Sequence, residues 1–142
     1  MKEVKTLEDL VLHKVRLSVL WLMAMVSDVA SVLLYIMNPA VLESIIETGA
    51  VDGEAVTPEA LLVGAVIYMI MLVMAFLSLT LKDKVNRWSN VVVGAVFLVL
   101  WVVSLIEFLA APSGSQILLV ILDIIFFGLI VWYAYKWPKK TE

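Results

Sequence analysis

The stretch LLVGAVIYMIMLVMAFLSLTL, residues 61–81, carries no charged residue from end to end. At 1.5 Å per residue a helix of this length reaches about 30 Å, the thickness of the hydrocarbon layer of a bilayer. Extended back to Glu59 it is one of four such runs, the others being about Leu17 to Met37, Trp88 to Ala110 and Gln116 to Tyr135. Four runs predict an all-α, multi-pass membrane protein: a single domain over residues 1–142, folded as an antiparallel four-helix transmembrane bundle. The composition agrees. Hydrophobic residues make up 63% and charged residues 16%, against roughly 45–50% and 25% in soluble domains, and the mean hydropathy is +1.06. A soluble enzyme, a disordered tail and a nucleic-acid-binding module are excluded on these figures. With no cysteine and a single histidine, neither a metal-ligand set nor a cofactor site is expected.

The cations set the orientation. Lys2, Lys5, Lys14 and Arg16 precede the first run, Lys82, Lys84 and Arg87 separate the second from the third, and Lys136, Lys139 and Lys140 follow the fourth. The alternate loops carry Glu43, Glu47, Asp52 and Glu54, or, over Pro112 to Ser115, no charge. The positive-inside rule then predicts a cell-membrane protein with both termini in the cytoplasm. A basic inner rim of this kind predicts anionic lipid as a partner at the cytoplasmic face.

The connections carry local signals. Asn38-Pro39 reads as a helix cap and first turn, and Leu42, Ile45 and Ile46, ending at Gly49, predict a short amphipathic helix on the outer surface. Asp52-Gly53 reads as a turn, and Thr57-Pro58-Glu59 as the capped start of the second span. Val4, Leu7, Val11 and Val15 form an apolar stripe, so the chain start is either an interfacial helix or an extension of the first span. His13, on that segment, reads as a solvated surface histidine. Trp88, Trp132, Tyr133, Tyr135 and Trp137 fall where interfacial aromatic anchors belong. Met23, Met25, Met69, Met71 and Met74 read as flexible packing filler rather than a copper track. Gly64, Ala65, Ala75, Gly94, Ala95, Ala24, Ser27 and Ser31 offer small surfaces for close helix contact.

Asp28, Glu107 and Asp123 stand inside the apolar runs with no Lys or Arg beside them. An ionised acid near a helix centre costs about 2.5–3.5 kcal/mol on insertion scales, so such residues face a bundle interior. Counted from the outer helix ends, Glu107 lies about 5 Å deep, Asp123 about 10 Å and Asp28 about 13 Å. Asp28 shares a face with Trp21, Ser31 and Tyr35, Glu107 with Ser104, and Asp123 with Gln116, while Tyr68 reaches the level of Asp28. Two readings stay open. The acids form a proton or cation site together with Ser31, Tyr35, Tyr68, Ser104 and Gln116, or they are protonated and only tie helix to helix.

The chain resembles the small four-span prokaryotic membrane proteins grouped as domain-of-unknown-function family 6326. The resemblance runs from Leu17 to Trp137 and rests on Leu17-Ser18-Val19-Leu20-Trp21, Asn38-Pro39-Ala40-Val41-Leu42, Val51-Asp52-Gly53 with Thr57-Pro58, Asn86-Arg87-Trp88-Ser89-Asn90, and Val131-Trp132-Tyr133-Ala134-Tyr135-Lys136-Trp137. It implies four helices, no established activity, and an acid in the fourth span at Asp123. The acids it implies in the first and second spans fall at Val32 and Met69, so a shared polar site would be rearranged here.

Two functions fit. One is a structural or accessory bundle that binds a membrane partner, a second copy of itself or lipid; the other is proton- or cation-linked transport or binding through the intramembrane carboxylates. An enzyme is not expected, because the chain lacks a nucleophile pattern and a phosphate-cradling glycine loop.

Overall fold

The computed structural model describes residues 2–51, 53–110 and 114–137, with side chains from residue 7 onward. Asp52, Pro112, Lys139 and Lys140 of the expectations above lie outside the described residues, as do the side chains of Lys2, Val4 and Lys5. Among the described residues the order is α1 (Lys2–Ile36), α2 (Pro39–Thr48), β1 (Ala50–Val51), β2 (Glu54–Ala55), α3 (Pro58–Thr80), α4 (Asp83–Ala110) and α5 (Gly114–Tyr135). Of these, α1, α3, α4 and α5 are long and apolar enough to cross a membrane. Their Leu, Val and Ile side chains stay exposed along most of their length, a surface suited to lipid and a hazard in water.

The chain start extends the first span: α1 is one uninterrupted helix. Helix α4 begins at Asp83, earlier than the apolar run at Trp88, because only two residues separate it from α3. The capping signals act as read. Asn38 Oδ1 accepts from the Ala40 N–H at 3.1 Å, and Pro39 opens α2. Gly49 closes α2 at φ +68°, a left-handed conformation that costs glycine nothing, with its N–H on the Ile45 carbonyl. The strands pair Ala50 with Ala55 and Val51 with Glu54, an addition to the predicted turn. Thr57 Oγ1 accepts from the Ala60 N–H at 3.2 Å to start α3.

Helices α1 and α5 form the centre; α3 packs on α1, α4 packs on α5, and α3 scarcely touches α4. The core lies toward the end that holds the chain start. Trp21 meets Phe97 and Phe127 edge-on at 5.7 Å each, and the two phenyl rings stack at 5.1 Å. Leu17, Ala24, Met71, Met74, Ala75, Ile130 and Ala134 pack around them. Met23 and Met69 point outward, so the methionines share no common track. A Cβ at Gly94 would stand 3.0 Å from Ile130 Cγ2 and 3.2 Å from Val131 Cγ2, which is why α4 and α5 approach closely there. Gly64, by contrast, meets nothing, and Ala65 is exposed.

A buried amide network locks this same end. Asn90 Oδ1 accepts from Trp21 Nε1 at 2.7 Å and from the Ser78 hydroxyl at 3.0 Å. Asn90 Nδ2 donates to Asn86 Oδ1 at 2.7 Å, and Asn86 Nδ2 donates to the Ser78 carbonyl at 2.6 Å. Three helices are thereby tied through groups that carry no formal charge.

His13 corrects its expectation as a solvated residue: it is 6% exposed. Its Nε2 donates to the Tyr133 carbonyl at 2.8 Å, and its ring lies edge-on to Tyr133 and Trp137. The next residue, Lys14, donates to the Leu81 carbonyl at 2.9 Å and pairs with Asp83 at 3.0 Å. Adjacent residues of α1 thus cover the carbonyl-rich ends of α5 and α3, where donors and positive charge are favoured. Sequence periodicity missed this because it places His13 on a face without showing which helix ends beside it. Trp88, Trp132 and Tyr135 are exposed, with Lys136 Nζ 3.9 Å over the Trp132 ring, whereas Tyr133 and Trp137, expected as anchors too, are half-buried against His13.

Candidate functional site

Toward the α2 end the bundle loosens. No residue of α3 before Met71 and none of α4 after Phe97 is buried. The buried acids there are Asp28 of α1 and Asp123 of α5.

On α1, Ser27, Asp28 and Ser31 face inward, all buried. Positions 27 and 31 are one turn apart, so their hydroxyls share a face with the carboxyl between them in height. On α5, Gln116 and Asp123 lie two turns apart on the buried face, with Val120 between them. Ser31 and Gln116 clasp each other: the Ser31 hydroxyl donates to Gln116 Oε1 at 2.6 Å, and Gln116 Nε2 returns a bond to the Ser31 carbonyl at 3.0 Å. That clasp holds the two helices in register immediately beyond the acids.

Asp123 is 1% exposed and Asp28 is 6% exposed. The two carboxyls stand within electrostatic reach of each other, the Tyr68 hydroxyl faces Asp28, and the Ser27 hydroxyl lies beside Asp123. The Ser27 hydroxyl is a hydrogen-bond partner of the Asp123 carboxyl, while no well-formed bond reaches Asp123 Oδ1 among the described residues. The ion pair between Lys14 and Asp83 is far along α1, and no cationic side chain is paired with either acid among the described residues.

The remaining expectations divide. Glu107 is exposed and Ser104 half-buried on α4; among the described residues no third His, Cys, Asp or Glu joins Asp28 and Asp123 in a group of metal-ligand geometry. Three acids therefore do not converge: Glu107 lies on the exposed face of α4, off the half-buried stripe of Trp101, Ser104, Leu105 and Phe108. Tyr35 is half-buried near the end of α1 and is engaged in an interaction of its own. Ser27, read from sequence as a small packing residue, joins the site; its spacing to Ser31 and its place next to Asp28 were the available signal.

No family model matches this chain, nor does any curated protein or solved structure. The positions at which the resemblance implies acids, Val32 and Met69, are both on the exposed surface. An acid at either would stand outside the α1–α5 seam. The arrangement that exists can hold a positive charge between two carboxyls and two hydroxyls, or share a proton among them.

Proposed function

We propose that this chain is a multi-pass protein of the cell membrane, with both termini in the cytoplasm, whose Asp28–Asp123 pair binds a proton or a small cation within the bundle. One observation carries the proposal: two buried carboxyls, Asp28 and Asp123, stand within electrostatic reach of each other, and no cationic side chain is paired with either among the described residues. The fourth-span acid implied by the resemblance to family 6326 supports the same residue. Binding, not catalysis, suits a chain without cysteine whose single histidine is committed to the end of α5.

The test is thermal unfolding of the purified protein in neutral detergent across pH 4 to 9, with and without sodium, for the wild type, Asp28→Asn and Asp123→Asn. A ligand of the folded state alone adds stability by mass action. Sodium or pH should move the wild type and leave the Asn variants unmoved. Curves that overlay at every condition would remove the proposal.

A second reading has its own support. The halves of α3 and α4 toward α2 hold no fully buried residue and pack only partly, through Ile67, Tyr68, Leu98 and Trp101, which suits an accessory bundle whose further contacts come from another membrane protein or a second copy. Its test is the mass of the complex released in mild detergent.

A further inference from the structure

The start of α4 and the end of α5 meet in a cluster of cations and aromatic rings. The Arg87 guanidinium of α4 lies 5.8 Å from the ring centres of both Trp88, its neighbour in sequence, and Tyr135 of α5, so it bridges the two helices. Next to Tyr135, Lys136 Nζ stands 3.9 Å over the Trp132 ring. An aromatic face attracts a cation through its quadrupole but leaves the charge itself unneutralised. No carboxylate is paired with Arg87 or Lys136 among the described residues, and Asp83, one turn before Arg87 on α4, is held by Lys14 at 3.0 Å. Trp88, Trp132 and Tyr135 are each more than half exposed. Further along the same helices, away from this end, Val92 and Val96 of α4 continue as exposed aliphatic surface.

We infer that this end of the α4–α5 seam is a binding site for one anionic phospholipid, its phosphate drawn by Arg87 and Lys136 and its acyl chains lying along the aliphatic surface of the same helices. The attraction of the basic rim for anionic lipid is thereby concentrated at one place on it. Charge complementarity selects the occupant: cations that have rings beside them but no carboxylate are neutralised by a phosphate, and the planar fork of Arg87 donates to two phosphate oxygens at once. The exposed rings select a lipid over a soluble anion, because Trp and Tyr beside a membrane-length apolar helix sit at headgroup level. The other described cations of α1 at this end are not equivalent. Lys14 is engaged by Asp83 and the Leu81 carbonyl, and Arg16 is exposed with no ring against it among the described residues. The site is separate from Asp28 and Asp123, so neither reading depends on the other.

The experiment extracts the full chain from vesicles of phosphatidylcholine and phosphatidylglycerol into mild neutral detergent and reads the retained lipid by native mass spectrometry. Salt is held at about 0.15 M, where exposed charges more than about 8 Å apart are screened. The wild type should retain phosphatidylglycerol in preference to phosphatidylcholine. Arg87→Gln and Lys136→Gln should each cut that retention by about fivefold, the factor that one cation near an anionic lipid surface contributes, whereas Arg16→Gln, the same loss of charge elsewhere on the rim, should leave it unchanged. Equal retention of the two lipids by the wild type would overturn the inference. So would equal losses in Arg16→Gln and Arg87→Gln, which would make the attraction a property of the whole rim. Displacement of the lipid by water-soluble glycerol phosphate at the same concentration as added phosphatidylglycerol would assign the site to a soluble phosphate and overturn it too. If Arg87→Gln fails to fold, Lys136→Gln, at an exposed side chain, and the comparison of the two lipids still decide.

Discussion

The two halves of this bundle hold buried polar groups in opposite ways. Near the chain start, Trp21, Ser78, Asn86 and Asn90 exchange hydrogen bonds until the amide groups are engaged, and three helices close around them. Toward α2, Ser27 and Asp123 are as deeply buried, but one acid oxygen keeps no well-formed bond and two of the four long helices contribute no fully buried residue there. Buried polarity is thus not one property. A neutral amide network fixes helix positions, whereas a pair of buried acids holds groups that can change their charge.

The sharpest way to break that contrast is to remove one polar group from each half. Asn90→Leu strips partners from Trp21, Ser78 and Asn86 together, and should cost about 3 kcal/mol or more, since each orphaned buried group costs roughly 1–3 kcal/mol. A fall in unfolding temperature in detergent reads this directly. Gly94→Ala comes next. Its new methyl meets Ile130 and Val131 at 3.0 and 3.2 Å, and overpacking of this kind costs about 1–3 kcal/mol. His13→Phe keeps an aromatic ring against Tyr133 and Trp137 but leaves the Tyr133 carbonyl without its donor, a loss of about 1 kcal/mol, measurable as faster hydrogen exchange in the last turn of α5. Asp123→Leu should change stability least, a loss of about 1 kcal/mol, because it takes one hydrogen-bond partner from the Ser27 hydroxyl. If Asp123→Leu proved as costly as Asn90→Leu in the same unfolding assay, the distinction between the two halves would fail.

The spans, the Asn38 and Thr57 caps and the left-handed Gly49 were legible because each depends on residues within a few positions of one another. The burial of Asp28, Asp123, Gln116 and Ser31 was also legible, since a polar group in an apolar run has few places to go. Glu107 shows the limit of that logic. A helix apolar on every side gives no sign of which face its neighbours cover, and Glu107 falls on the exposed face of α4. Asn86 and Asn90 were passed over for a related reason: amides at the edge of a span read as interfacial until Trp21 and Ser78, 69 and 12 positions from Asn90, are seen to meet them. His13 needed the end of α5, 120 positions away.

Those separations have a consequence for the order of assembly. Ser31 and its clasp partner Gln116 are 85 residues apart, and a ribosome adding about 5–20 residues per second needs roughly 4–17 s to cover that distance. Throughout that interval α1 has been made, but the helix that shields Asp28 and caps the His13 end of the bundle has not. The nascent chain therefore carries Asp28 with only the Tyr68 hydroxyl of α3 to meet it until α5 has been made.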